Sequence, residues 1–591
     1  MTGPRAPAPV RPRAPAAVRL QASASIGLRA VSLVLILGVL AACTGVPTSG
    51  PIEQGPVVDS AESSQFIRVI AAPPSAGAKP EEIVRGFLDA HASLEQDHAI
   101  ARRYLTADAS GAWKPQASTL VYDQGSLRLV ARDDRVRARF RVVAELGADG
   151  SLTALEQPER REVAFTLEQV AVGEATVPQW RISDPPDGIL ISTTDLRRAY
   201  RLHQTYFVGQ RTSVLVPDGR MLPVVGASLP TTLAEAVLAG PSAWLSPGVR
   251  SSLPAGTELA LGAVPVVDAV ATVELSEQVL SATDQERRDL AAGLTWTLTE
   301  LPDISAVQLR VKGEPFVVPG APTLMDRTVW RGQAPDSLVT ASSAAQRAPH
   351  YLLDGSSIVR VSDMSRTSLP IAVPHADSLV GLAVSLDQRK AAAIEPDGRG
   401  LWLMPLERGG SPVHIAGRDV SSVSFSVDGE LWFDDSGVIR RVIAGNQIVD
   451  VRVAGKGLGP VTAIQPGRDG TQVALVVAGV VHVGVLERQE AELVVTSVRR
   501  IGWTMADAAD LAWRDAATLD VLGRQDGEAR QVLRLSIGSS EATGLGTPAL
   551  PTQVAASPGA LTLVAGGEND VYANIGLQWR RQDAGRAVAY P

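Results

Sequence analysis

The side chains in this chain that could do chemistry are few and scattered. Ser242 in "GPSAW" comes nearest to a nucleophile elbow, which needs Gly-x-Ser-x-Gly on a strand-to-helix turn; here the last Gly is missing and the stretch ends a predicted helix. There is no His-Glu-x-x-His to hold zinc and no Gly-x-x-x-x-Gly-Lys-Ser/Thr to cradle phosphate, and "AGKGLGP" at 454–460 reads as a loop between strands. His91 and His98 lie seven apart on one helical segment, but no carboxylates at ligand spacing accompany them, so exposed or half-buried rings are expected. Asp268, Glu274, Glu277 and Asp284 are accounted for by turn, strand-face and helix-cap roles. No enzyme activity, metal or cofactor is expected; the one enzymatic reading left open is a spatially assembled carboxylate pair acting on a glycan, because such pairs are not set by sequence spacing.

One residue does carry a specific chemical signal. Cys43 is the only cysteine in 591 residues, and it ends "VLILGVLAAC". Before it, Arg5, Arg11, Arg13, Arg19 and Arg29 stand without an acid, and Ala30–Ala42 is uncharged. That run is shorter than the roughly 20 residues a spanning helix needs, so it reads as the apolar core of a signal peptide over 1–42. Leu40, Ala41, Ala42 and Cys43 resemble the bacterial lipobox. The resemblance implies an S-diacylglycerol and an N-acyl group on Cys43 after cleavage, with the mature chain lipid-anchored at the extracytoplasmic face of the cell membrane. The polar, Pro- and Gly-containing "CTGVPTSGPIEQGP" that follows suits a tether over 43–77, and an uncleaved anchor helix is not expected to run into such a stretch.

Composition sets the rest of the frame. With 45% apolar and 20% charged residues and a formal charge of −8, the chain is globular and gives no sign of a nucleic-acid partner. Its length calls for several cores.

Three folded regions are expected. Over 78–200, Pro80 and two acids open a helix that places Ile83, Phe87 and Leu88 one turn apart, and a short second helix runs through Ile100 and Tyr104. Strands then alternate Val136, Ala138, Phe140 and Val142 with Arg135, Arg137, Arg139 and Arg141, which makes the region α+β. The arginine row suits a solvated outer face, or one that meets an anionic ligand or lipid headgroup. The plan of two helices followed by strands resembles the nuclear-transport-factor-like superfamily.

Over 201–325, two apolar strands flank Asp218-Gly219, a strong turn dipeptide. Thr232/Glu235 and Thr283/Glu286 have capping-box spacing, and Leu290, Leu294, Leu298 and Leu301 form a stripe between the strands "AVATVEL" and "AVQLRVKG". The segments "AVLAGPS", "GVRSSLPAGTEL", "VATVELSEQVL" and "LTWTLTELPDISAVQLRVKGEP" resemble a GerMN domain, an α/β module.

Over 335–591 a strand, polar turn and strand recur about every 40 to 48 residues, with Asp387, Asp428, Asp469 and Asp515 in equivalent turns and Pro558-Gly559 in a fifth. This predicts an all-β propeller of five or six blades, in which "HYLLDGSSIVRVSDM" lacks a leading strand, the last repeat lacks an outer one, and the two ends share a blade. One acid per turn falls short of calcium coordination. Trp402, Trp432, Trp503, Trp513 and Trp579 are expected to fill space between blades.

Taken together, the multidomain order and the lipobox resemble the actinobacterial LpqB lipoprotein family. That resemblance implies a non-enzymatic protein that acts through the sensor kinase MtrB of the MtrA–MtrB two-component system on cell-wall homeostasis and division. The competing reading is a lipoprotein that binds or hydrolyses cell-wall glycan.

Overall fold

The computed structural model describes residues 71–591, apart from 94–96, 172–176, 225–227, 252, 341–347, 363–364, 408–409, 456–457, 491, 526, 540, 549, 568 and 577. Ile67–Pro591 is one compact unit. The signal peptide, the lipobox residues Leu40, Ala41, Ala42 and Cys43, and most of the tether lie outside the described residues.

The α+β domain begins with the helix Pro80–Ala90, whose start is fixed by the Lys79 amide donating to Glu82 Oε2 at 2.8 Å. Its apolar face, Ile83, Val84, Phe87 and Leu88, is buried against a sheet in which Arg135–Leu146 is central. In that strand Val136, Ala138, Phe140 and Val142 point inward and the intervening arginines are exposed, as alternation in a half-buried strand requires.

His91 and His98 are buried, not exposed. His91 follows Ile83 and Phe87 at intervals of four, which carries it to the same inward face; its ring stacks on Trp113 at 5.5 Å, and Nδ1 lies 3.1 Å from both the amide nitrogen and the carbonyl oxygen of Leu190. Burial holds its pKa down at about 3, assisted by the neighbouring His98 and opposed by the Leu190 hydrogen bond. A depressed histidine means that the unfolded chain takes up a proton, near pH 6.5, which the folded chain refuses. The contribution of His91 to stability is therefore full above about pH 6.5 and is lost as pH falls from there toward 3, at up to about 1.4 kcal/mol per unit. Asp510 and Asp434, raised by burial, slope the other way over part of this window. The readout is thus the difference between wild type and His91→Leu in urea unfolding from pH 7 to 5. That difference is expected to change with pH, and a constant offset would refute the assignment.

In the second domain, Tyr200–Gly209 and Leu215–Pro223 form a hairpin joined by Val249–Arg250. A second sheet contains the parallel strands Val270–Leu275 and Ala306–Val311, linked through the helix Asp284–Leu298. The capping box at this helix is formed: the Thr283 amide donates to Glu286 Oε2 at 2.7 Å, and the Glu286 amide donates to Thr283 Oγ1 at 3.3 Å. Leu290, Leu294 and Leu298 are buried in the domain core.

Two local expectations are corrected here. Thr232/Glu235 is not a cap, because Pro230 near the first turn starts the helix at Leu229, with Ser228 in the cap position. Asp218-Gly219 is not a turn either. The chain reverses at 210–214, and Asp218-Gly219 lies within the second strand for reasons set by the other domains.

The third domain is a propeller of six sheets among the described residues, each wound outward from an inner strand. The inner strands are Val380–Val384, Val423–Phe425, Val461–Pro466, Met505–Asp515, Pro551–Ala555 and Val588–Ala589. The last of these pairs with His350–Asp354, so strands from both ends of the domain complete one blade and close the ring. The last repeat does possess an outer strand, Gln578–Ala584; it is mostly exposed and so lacks apolar alternation. Trp432 and Trp513 are buried between neighbouring blades, as expected, Trp432 against the following blade and Trp513 against the preceding one, where its Nε1 donates to the Gln465 carbonyl at 3.0 Å. Trp503 instead packs against the core of the first domain.

Candidate functional site

Three sets of residues meet where the domains join. Arg220, 2% exposed, donates to Asp149 Oδ2 at 2.7 Å, to Asp218 Oδ2 at 2.7 Å and to the Gly240 carbonyl at 3.1 Å. Asp218, fully buried, also accepts from the Ser242 amide and Oγ, both at 2.7 Å. Ser242, the residue nearest in pattern to a nucleophile, is thus committed to a structural carboxylate. From the propeller, Arg499 lies over the Trp244 ring at 3.9 Å, Arg500 donates to the Glu156 carbonyl at 2.6 Å, and His482 Nε2 is 3.1 Å from Glu156 Oε2. Burial brings the Arg499 pKa down to about 10, an effect opposed by Asp218 and Asp149.

The second domain also packs on one end of the propeller. The tip of its hairpin sits on the turns that leave the inner strands: Arg211 pairs with Asp428 and donates to the Gly470 carbonyl at 2.9 Å, while Thr212 Oγ1 donates to the Asp469 carbonyl at 2.5 Å. These aspartates organise their turns as expected; Asp469 Oδ1 accepts from the Thr471 and Gln472 amides at 2.6 and 2.9 Å.

At the opposite end, where the inner strands begin, the propeller axis opens into a hollow of about 550 Å³. Glu395, Asp397 and Asp419 stand at its rim, and Asp510 and Gln553 lie between it and a narrower axial cavity of about 80 Å³. Burial pushes the Asp510 carboxyl up to about 7 against the pull of the Val554 and Leu511 amides. Asp434 beneath the rim is raised by burial to about 6 and accepts from Ser421 Oγ. Arg586 is occupied by the carbonyls of Gly355, Ala376 and Leu379.

A carboxyl near neutrality can trade a hydrogen bond with a bound group. Bond-making needs a nucleophile or a second positioned acid–base group, and two of the three rim acids are held in turns and pairs: Asp397 accepts from the Arg399 amide at 3.0 Å, and Glu395 accepts from Trp402 Nε1 at 3.2 Å. Among the described residues no three His, Cys, Asp or Glu side chains are grouped to hold a metal ion, and no helix is long and apolar enough to cross a membrane. The acids Asp268, Glu274, Glu277 and Asp284 do local work: Asp268 is in a left-handed turn, Glu274 accepts from the Gly313 amide, Glu277 pairs with Lys312 at 2.7 Å, and Asp284 is in the first turn of its helix.

This fold defines a multidomain protein of α+β, α/β and β-propeller parts, with an open axial face on the propeller. The family models resolve the same three parts: "Lipoprotein LpqB, N-terminal domain" over 73–197, "Sporulation and spore germination" over 204–317 and "Lipoprotein LpqB beta-propeller domain" over 356–591. The chain belongs to the LpqB lipoprotein family. It is 30% identical to lipoprotein LpqB of Thermobifida fusca over 95% of this chain and 98% of that protein, and 29% identical to that of Mycobacterium tuberculosis over 89% and 92%. Among solved structures, the first GerMN domain of GerM from Bacillus subtilis matches at 22% identity and TM-score 0.19, covering 22% of this chain and 98% of that one. TolB from Acinetobacter baumannii matches at 13% identity and TM-score 0.33, covering 66% and 99%. Scores this low have no bearing on function.

Proposed function

We propose that this protein is held at the extracytoplasmic face of the cell membrane by acyl groups on Cys43 and acts by binding another protein. The partner we assign is the extracytoplasmic part of the sensor kinase MtrB, so that binding biases the MtrA–MtrB system and, through it, cell-wall homeostasis and division. The observation that carries this reading is the asymmetry of the propeller in a member of a lipoprotein family: the second domain packs on one end, and the other presents an open face with its polar hollow. A partner that meets this face in only one kinase conformation shifts the population of that conformation, and no bond is made or broken.

The test is reconstitution of the kinase in proteoliposomes with the acylated chain. Autophosphorylation is expected to change by about fivefold or more, in the range typical of coupling between sites, with crosslinks to the kinase mapping to residues around Asp397, Asp419 and Asn569. Cys43→Ala is expected to abolish both lipid labelling and cleavage of the leader, and normal labelling of that variant would refute the anchor. A second reading, glycan binding or hydrolysis, is favoured by the polar, acid-rimmed hollow. A chain that retains or cleaves peptidoglycan yet leaves the kinase unchanged would put that reading first.

A further inference from the structure

The outer face of the first domain's sheet is cationic to a degree that its own fold does not call for. Arg135, Arg137, Arg139 and Arg141 alternate along the central strand, with Arg128 and Arg132 on one neighbouring strand and Arg160 on the other, all of them exposed. The register sets three arginine pairs directly opposite one another: Arg128 with Arg139, Arg132 with Arg135, and Arg141 with Arg160. Like charges directly opposed across strands destabilise a sheet, and a merely solvated face is ordinarily laced with both signs. Relief here is partial. Glu162 pairs with Arg139 at 2.5 Å and Arg137 at 3.7 Å, and Asp123 pairs with Arg141, while Arg132, Arg135 and Arg160 have no carboxylate in reach among the described residues. Between the strands, Arg139, Arg141, Arg160 and Arg161, with Ser126, Phe140 and the single acid Glu162, border an open groove of about 530 Å³, roomy enough for phosphate headgroups.

We propose that this arginine face docks on an anionic phospholipid bilayer. The chain as a whole carries a formal charge of −8, so a bilayer of that sign repels most of its surface and attracts this one, which gives orientation as well as affinity. The face belongs to the first folded domain after the tether. The segment 43–77 can span at most roughly 120 Å even fully extended, so an anchor at Cys43 keeps the face within reach of the membrane. The effective concentration rests on the Cys43 anchor; the affinity of the face for lipid does not. Docking would fix the height and tilt of the open propeller face above the membrane.

The experiment therefore removes the anchor. The chain from residue 43 onward, carrying Cys43→Ser and containing the whole compact unit, is sedimented with phosphatidylcholine vesicles with and without phosphatidylglycerol. Binding is expected only to the anionic vesicles and is expected to weaken with salt. The double variant Arg135→Gln/Arg137→Gln, at exposed positions, is expected to lower partitioning by about tenfold or more, since each cation near such a surface contributes roughly fivefold. Arg389→Gln/Arg399→Gln, which removes the same charge from exposed propeller sites, is expected to leave it unchanged. Equal binding by both double variants, no preference for anionic vesicles, or loss of binding to inorganic phosphate at constant ionic strength would overturn the proposal; the last outcome would mark a discrete phosphate site. Because no acyl group is present, failure here is separable from failure of the Cys43 anchor, which lipid labelling reports.

Discussion

Arg220→Met is expected to destabilise the folded block by about 3–5 kcal/mol, the usual consequence of leaving a buried charge without its partner. The guanidinium fills a space enclosed by two domains and satisfies two carboxylates and two carbonyls, those of Asp149 and Gly240. With Met in its place, Asp218 keeps its Ser242 hydrogen bonds but loses its direct ion-pair partner while fully buried, with Arg499 as the remaining nearby cation. Two effects could produce the loss, a void or a stranded charge, and a second substitution separates them. Asn at 218 removes the charge while still accepting from Ser242, so Asp218→Asn/Arg220→Met is expected to be more stable than Arg220→Met alone. Urea unfolding followed by tryptophan fluorescence measures both. If the double variant is no more stable than the single one, the cost is packing, and the electrostatic account fails.

Much of the architecture could be read from local pattern, because the forces concerned act locally. A half-buried strand has to alternate, and Val136, Ala138, Phe140 and Val142 did so; a helix start needs its amides satisfied, and Thr283 with Glu286 did so. Some misreadings came from local signals passed over, such as Pro230 ahead of Thr232, and others from partners distant in sequence. Asp218-Gly219 has turn chemistry, but Asp149, Arg220 and Ser242 hold the aspartate in a strand. His91 was legible in hindsight from its four-residue intervals with Ile83 and Phe87, and the absence of a ligand pattern around it drew attention from that spacing. The propeller mouth was not legible, because an axis gathers residues from six strands spread over more than two hundred positions, and nothing local in "MADAADLAW" marks Asp510. The residue with the plainest chemical signal in the sequence, Cys43, lies outside the described residues.

Gly219→Val is expected to pry the second domain from the propeller while leaving each one folded. A Cβ at 219 would stand 2.4 Å from the Ile537 carbonyl oxygen and 2.8 Å from the Gly538 Cα, and both are backbone atoms that cannot swing aside. From the other side, Gly538 has φ +90°, and a Cβ there would meet the Gly219 Cα at 2.6 Å. The two glycines are thus a backbone-to-backbone contact between domains, and overpacking it costs about 1–3 kcal/mol or forces the surfaces apart. Undocking should appear in small-angle scattering as a larger radius of gyration and in limited proteolysis as new cleavage within 326–349, with the far-ultraviolet circular dichroism unchanged. An unaltered radius and cleavage pattern would mean that the interface absorbs the side chain elsewhere. The variant also bears on the proposed function, because it leaves Cys43, the arginine face and the propeller hollow unaltered while loosening the junction between the second domain and the propeller. If the kinase senses a face presented at fixed height and angle, an acylated Gly219→Val chain that still binds it should lose most of its effect on autophosphorylation. If binding alone suffices, the effect should survive undocking, and the rigid junction built around Arg220 would then serve stability and not signalling.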